Sequence, residues 1–159
     1  MFRILVVDNG AIDREVIRAV LTDRLGDIVE VLQAAGREDA QNILSVQRID
    51  LLIADVPLSS AVVKHLVRLA RSLNEKASVI LTSVKTGAEM AQLSERLGAR
   101  GYLLKPFRRE KLLELVCPLV VENKEQKSRV EETRAEQDRQ LCLAAIGSSI
   151  HECQYKKIP

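Results

Sequence analysis

Five short runs of β-branched and leucine-rich residues constrain this chain more than any other feature: Ile4–Val7, Ile28–Leu32, Leu51–Ala54, Val79–Leu81 and Tyr102–Leu104. Apart from Glu30 they carry no polar residue, so they read as strands buried on both faces rather than strands with one wet side. Between them, apolar residues recur at three-to-four spacing: Ile12, Val16, Ala19 and Val20, then Ala40, Ile43 and Leu44, then Val62, Leu66 and Leu69. Met90, Leu93 and Leu97, and finally Leu112, Leu115 and Val116, continue the series. That spacing predicts amphipathic helices. Strands and helices in strict alternation imply a parallel sheet, because right-handed crossovers lay each helix on a sheet face. The predicted fold is therefore α/β, a five-stranded parallel sheet between two helical layers.

Charge and cysteine content narrow the function classes. Basic and acidic residues number 24 and 22, and they divide as 17 and 15 over residues 1–121 and 7 and 7 over residues 122–159. Neither part carries a large field of one sign, so no direct nucleic-acid contact is expected in this segment. Cys117, Cys142 and Cys153 form no CxxC pair, which argues against a zinc module or a disulfide scaffold and for a reducing, cytoplasmic setting. The longest late apolar stretch, Leu115 to Val121, is too short to span a bilayer, and no membrane segment is expected. Pro118 is expected to mark a boundary or a kink, since proline lacks the N–H a helix interior uses. Residues 1–121 thus read as one domain. Residues 122–159 read as a charged linker or signalling helix leading to an output domain beyond residue 159: between residues 122 and 140 lie six acids and five bases, with Val130 the one large apolar residue and only a weak heptad pattern.

In open parallel sheets ligands bind outside the carboxyl ends of the strands, so the residues that end each apolar run are the candidates for chemistry. They are Asp8 and Asn9 after the first run, Asp55 after the third, Thr82 and Ser83 after the fourth, and Lys105 after the fifth. With strand order 2-1-3-4-5 these positions share one crevice. Two carboxylates, an amide, a hydroxyl and an ammonium suit phosphoryl transfer onto a carboxylate. One carboxylate is the nucleophile, the other holds a divalent cation, and the hydroxyl and lysine meet the phosphoryl oxygens. Magnesium fits such hard oxygen ligands.

Four segments, Ile4-Leu5-Val6-Val7-Asp8-Asn9, Asp50-Leu51-Leu52-Ile53-Ala54-Asp55, Val79-Ile80-Leu81-Thr82-Ser83 and Gly98 through Phe107, resemble the sequence blocks of receiver domains of two-component response regulators. The likeness covers roughly the first 120 residues, in order and at nearly the family's separations. It implies a flavodoxin-like, doubly wound sheet of order 2-1-3-4-5, here followed by a long C-terminal helix. It further implies that Asp55 is the phosphoacceptor and that Asp8 and Asn9 occupy the acidic pair that holds Mg2+, with the carbonyl of Pro57 as the backbone ligand. By the same resemblance Thr82 is the switch hydroxyl, Tyr102 its aromatic partner and Lys105 the phosphate-contacting lysine. The family's partner is a histidine kinase or phosphotransfer protein. The resemblance implies a signalling switch rather than a turnover enzyme, dimerising through the face of the fourth helix, fifth strand and fifth helix or through the trailing helix; many relatives so extended regulate transcription. Three departures stand out. Asn9 removes one negative charge from the metal site, Val56-Pro57-Leu58-Ser59-Ser60 reads as a shortened loop, and Arg108 and Arg109 stand where many relatives have acids.

Each residue also has a plainer reading. Asp8 or Asp55 alone could cap a helix, Thr82 could be a turn residue and Tyr102 an ordinary strand aromatic. Asn9 and the altered loop motivate a degenerate receiver, a phosphorylation-independent interaction or dimerisation module. Val6-Val7-Asp8-Asn9-Gly10 faintly resembles the nucleophile strand of haloacid-dehalogenase-type phosphohydrolases, with Asp8 as nucleophile, but Gly10 stands where that family needs its second acid. His151-Glu152 resembles a histidine-kinase phosphoacceptor pair, against the simpler reading of a solvent-facing histidine.

Overall fold

The computed structural model describes residues 1–56, 59–85 and 88–154, with side chains described as far as residue 143. Five strands form a parallel sheet: β1 (Phe2–Val7), β2 (Val29–Ala34), β3 (Leu51–Asp55), β4 (Ser78–Ser83) and β5 (Gly101–Leu104). Their spatial order is β2-β1-β3-β4-β5, as expected from the sequence. The helices are α1 (Ala11–Leu25), α2 (Arg37–Val46), α3 (Ser60–Leu73), α4 (Ala88–Leu97) and α5 (Arg109–Gln154), with a 3-10 turn at Gly26–Ile28 before β2.

The alternation of side chains along each strand divides the core in two. Leu5, Val7, Leu52, Ala54, Val79 and Leu81 pack towards α2, α3 and α4, against Leu44, Val63, Leu66 and Met90. Ile4, Val6, Leu51, Ile53 and Ile80 pack the other way, against Ile17 and Leu21 of α1 and Leu112 and Val116 of α5. Burying each such Leu or Ile side chain is worth about 1.5–3 kcal/mol, which is why the interior strands tolerate no polar alternation. At the edge, β2 does carry it. Glu30 and Gln33 lie on a strand with only one neighbour, and β2 runs two residues past the Leu32 expected from the apolar run, with Ile28 left in the 3-10 turn.

The amino end of the central strands is tied by polar groups. Asp50 Oδ2 accepts the Arg3 N–H at 2.9 Å, the Ser78 N–H binds the Asp50 carbonyl at 2.9 Å, and buried Asn74 donates to the Ile49 carbonyl at 2.9 Å. These bonds satisfy buried polar groups and fix where β1, β3 and β4 begin.

The chain divides into two compact units, Met1–Val120 and Val121–Pro159. Pro118 lies inside α5 without ending it, close to the division between the two units after Val120. It sits on the exposed side of the helix, where the carbonyl its ring leaves without a backbone donor can bond water. In the second unit the described side chains are almost all exposed, Val130, Leu141 and Leu143 included. His151 and its neighbours fall among residues whose side chains are not described. Among the described residues no helix is long and apolar enough to cross a membrane.

Candidate functional site

All three central strands end in side chains that belong to the rim rather than the core. Asp8 follows β1, Asp55 is the last residue of β3, and Thr82 pairs with Asp55 in the β3–β4 register. Hydrogen bonding continues past the strand ends. The Val56 N–H reaches the Thr82 carbonyl at 2.8 Å and the Lys105 N–H reaches the Ser83 carbonyl at 2.7 Å, which brings the lysine alongside β4. The Lys105–Pro106 peptide is cis.

The β1–α1 turn is organised by Asp8 itself. Its Oδ1 accepts the Gly10 N–H at 2.7 Å, and its carbonyl accepts Arg14 Nη1 at 2.6 Å from the first turn of α1. Gly10 is needed here for space: a Cβ would lie 3.2 Å from Asp8 Oδ1 and 3.3 Å from Asp13 Oδ2, tighter than ordinary contacts. With the backbone so placed, the Lys105 ammonium lies 2.5 Å from Asp8 Oδ2, 2.9 Å from Asp13 Oδ2 and 3.3 Å from Asp55 Oδ2. Thr82 Oγ1 donates to the other oxygen of Asp55 at 3.3 Å.

Burial decides the electrostatics. Asp8 and Asp55 are only 1% and 3% exposed. Desolvation, reinforced by the charge of Asp8, raises the Asp55 carboxyl above the usual carboxylate range, although Lys105 and Thr82 pull against the shift. For Lys105, burial acts to lower the ammonium. Its hydrogen bonds to Asp8 and Asp13, with the charges of Asp55 and Asp8, outweigh that and leave it well above an ordinary lysine. The site therefore holds buried negative charge that one ammonium does not fully satisfy.

The structure brings Asp8, Asp55, Thr82 and Lys105 together and adds Asp13, which the sequence reading did not single out. Asn9 is exposed, beside Asp8 at the rim. Tyr102 stands in register with Leu81, one residue from Thr82, and is 43% exposed on β5. Pro57 lies outside the described residues. Asp50 is at the opposite end of β3, tied to Arg3. Among the described residues no three His, Cys, Asp or Glu side chains form a ready metal cage. The buried carboxylates of Asp8 and Asp55 and an amide at the rim nonetheless make a donor set that fits a hard divalent cation completed by backbone oxygen and water.

The response regulator receiver domain model matches residues 4–117. The chain belongs to that family. Among curated relatives, this receiver is 29% identical over 119 residues to Protein CcdB of Bacillus subtilis, covering 73% of this chain and 95% of that one. Among solved structures it is similar to the chemotaxis protein CheY4 of Vibrio cholerae, with 27% identity, a TM-score of 0.64, and coverage of 75% and 98% of the two chains. A response regulator receiver protein from Pseudomonas putida is 34% identical with a TM-score of 0.60, covering 74% of this chain and 96% of that one. Receiver domains are signalling switches of two-component systems, generally bind Mg2+ through acidic residues, and act with histidine kinases or phosphotransfer proteins.

Proposed function

We propose that this receiver accepts a phosphoryl group on Asp55 from a histidine kinase or phosphotransfer protein of a cytoplasmic phosphorelay and passes the change to an output domain or dimer partner. The observation that carries the reading is the single Lys105 ammonium shared by two buried carboxylates, Asp8 and Asp55, with Thr82 on the second of them.

An Asp55 oxygen attacks phosphorus; the new P–O bond forms as the P–N bond to the donor imidazole breaks, its electron pair staying on that ring nitrogen, and the donor leaves as neutral imidazole with its proton on the other nitrogen. Lys105 and Thr82 then bond the phosphoryl oxygens. Asp8, Asn9, Asp55 and the Pro57 carbonyl would hold Mg2+, which when bound screens the negative charge of the transferring group. Thr82 moving with the phosphoryl group, and Tyr102 with Thr82, would give the two states of the switch. Exposed Val16 and Val84, with Phe107, form an apolar margin beside Lys105 suited to an incoming donor. The α4–β5–α5 face, with exposed Tyr102 and Leu104, or the trailing helix is the proposed homodimer surface.

The test is intact mass after incubation with a small-molecule phosphodonor and magnesium, alongside binding of beryllium fluoride. The expected result is one phosphoryl adduct, lost in Asp55→Asn and kept in Asp8→Asn at a slower rate. No adduct in a folded sample sinks the proposal and leaves the phosphorylation-independent interaction module that Asn9 motivates. An adduct lost only in Asp8→Asn would point to the haloacid-dehalogenase-like reading. A monomer in sedimentation both with and without beryllium fluoride would remove the dimer.

A further inference from the structure

We propose that Asp13 is a positioning residue of this site: it makes up for the charge that Asn9 lacks and gives Lys105 a second anchor when a divalent cation takes Asp8 and Asp55. The inference rests on the phosphoacceptor reading above.

Its first support is charge. With both carboxylates ionised, Asp8, Asp55 and Lys105 leave the cluster with one net negative charge; Asp13 makes it two, matching a divalent ion. An asparagine at position 9 can still offer an oxygen but brings no charge. Asp13 supplies it from one turn into α1.

The second support is competition for oxygen. Lys105 now lies against the same Asp8 and Asp55 carboxylates that a metal ion would need. A divalent ion on Asp8 would repel the ammonium now 2.5 Å from the same carboxylate. The Asp13 side chain is 48% exposed while that of Asp8 is 2% exposed, so the ammonium can shift outward and keep a carboxylate partner. Space for that shift exists, because Asp13 and Lys105 both line an open cleft with Val16, Val84 and Phe107.

The third support is local. An acid in the first turn of a helix is ordinarily explained by the helix dipole and faces water. Asp13 instead reaches back past Gly10, where a side chain would crowd it, to hydrogen-bond Lys105. Asp13 acts through its charge and through Lys105, whose ammonium it holds at 2.9 Å.

The experiment is calorimetric Mg2+ titration of the full chain in wild type, Asp13→Asn, Asp13→Glu, Asn9→Asp and the Asn9→Asp/Asp13→Asn double variant, with thermal melts to verify folding. A unit charge removed within several ångströms of a divalent ion at a wet rim should weaken binding on the order of tenfold in Asp13→Asn. Asp13→Glu should stay within about threefold of wild type, and Asn9→Asp should restore the double variant, which a merely structural role would not produce. Folded Asp13→Asn binding Mg2+ as tightly as wild type overturns the inference alone. Wild type that takes up neither Mg2+ nor beryllium fluoride overturns the phosphoacceptor reading and this one with it.

Discussion

Replacing Lys105 by methionine should destabilise the metal-free protein strongly, although the change falls at the rim and not in the core. Methionine keeps most of the stem's packing and removes only the charge. Two carboxylates then face each other with no cation, at 1% and 3% exposure. Coulomb's law at an effective dielectric of about 20 gives roughly 5 kcal/mol of gross attraction for the 3.3 Å contact with Asp55 alone. Against this, the ammonium no longer has to be desolvated, and the Lys105 side chain is 10% exposed. Breaking buried pairs by removing one partner typically costs about 3–5 kcal/mol, so a loss near the lower end, about 3 kcal/mol, is expected. With a urea slope of about 2 kcal/mol per molar, the midpoint should fall by about 1.5 M. The assay is urea unfolding followed by far-ultraviolet circular dichroism at neutral pH in a chelator, since the chain has no tryptophan. Millimolar Mg2+ should narrow the gap, as should acidification, which lets a carboxyl take up a proton. Combining Lys105→Met with Asp55→Asn should cost much less than Lys105→Met alone. A Lys105→Met protein as stable as wild type without metal would refute the shared-ammonium account of the site.

Two other outcomes follow from the same electrostatics. Asp55 has a folded-state value above its unfolded one, so its contribution is full below the unfolded value and is lost as pH rises through the folded one. Asp55→Asn should accordingly raise metal-free stability at neutral pH, with the gain fading towards pH ~3 to 4, where the unfolded carboxyl is protonated too; chemical denaturation across pH checks the sign. Gly10→Ala should lower both melting temperature and Mg2+ affinity, because its Cβ would press on two carboxylates held by Lys105; equal affinity by calorimetry would show that the turn can yield.

The strands were legible because burial on both faces leaves nothing but apolar residues to read, as in Leu51–Ala54 and Val79–Leu81. Edge strand β2 was misplaced by a residue or two for the converse reason: Gln33 ends the apolar run while the backbone goes on pairing with Val6. Pro118 lies within α5 near the division after Val120, and its exposed helix face can satisfy the lost backbone bond with water. At the site, Asp8, Asp55, Thr82 and Lys105 could be picked out because they follow apolar runs whose ends neighbour one another in the strand order that the family resemblance implies. Asp13 could not, since its carboxylate reaches the cluster from a helix and its neighbour Lys105 lies 92 residues away. The only hint was an acid one turn after a glycine that follows Asp8. Nor does alternation along β5 say how exposed Tyr102 is; that depends on what covers the sheet edge.

The tie around Asp50 has a mechanical meaning for Asp55. Only Leu51 to Ala54 separate the two residues, on a strand stretch of about 17 Å. A β-strand so short, roped at its root and gripped by a neighbour on either side, has almost no give. Bulk added at its tip must therefore be accommodated outside the strand, with the sheet acting as an anvil.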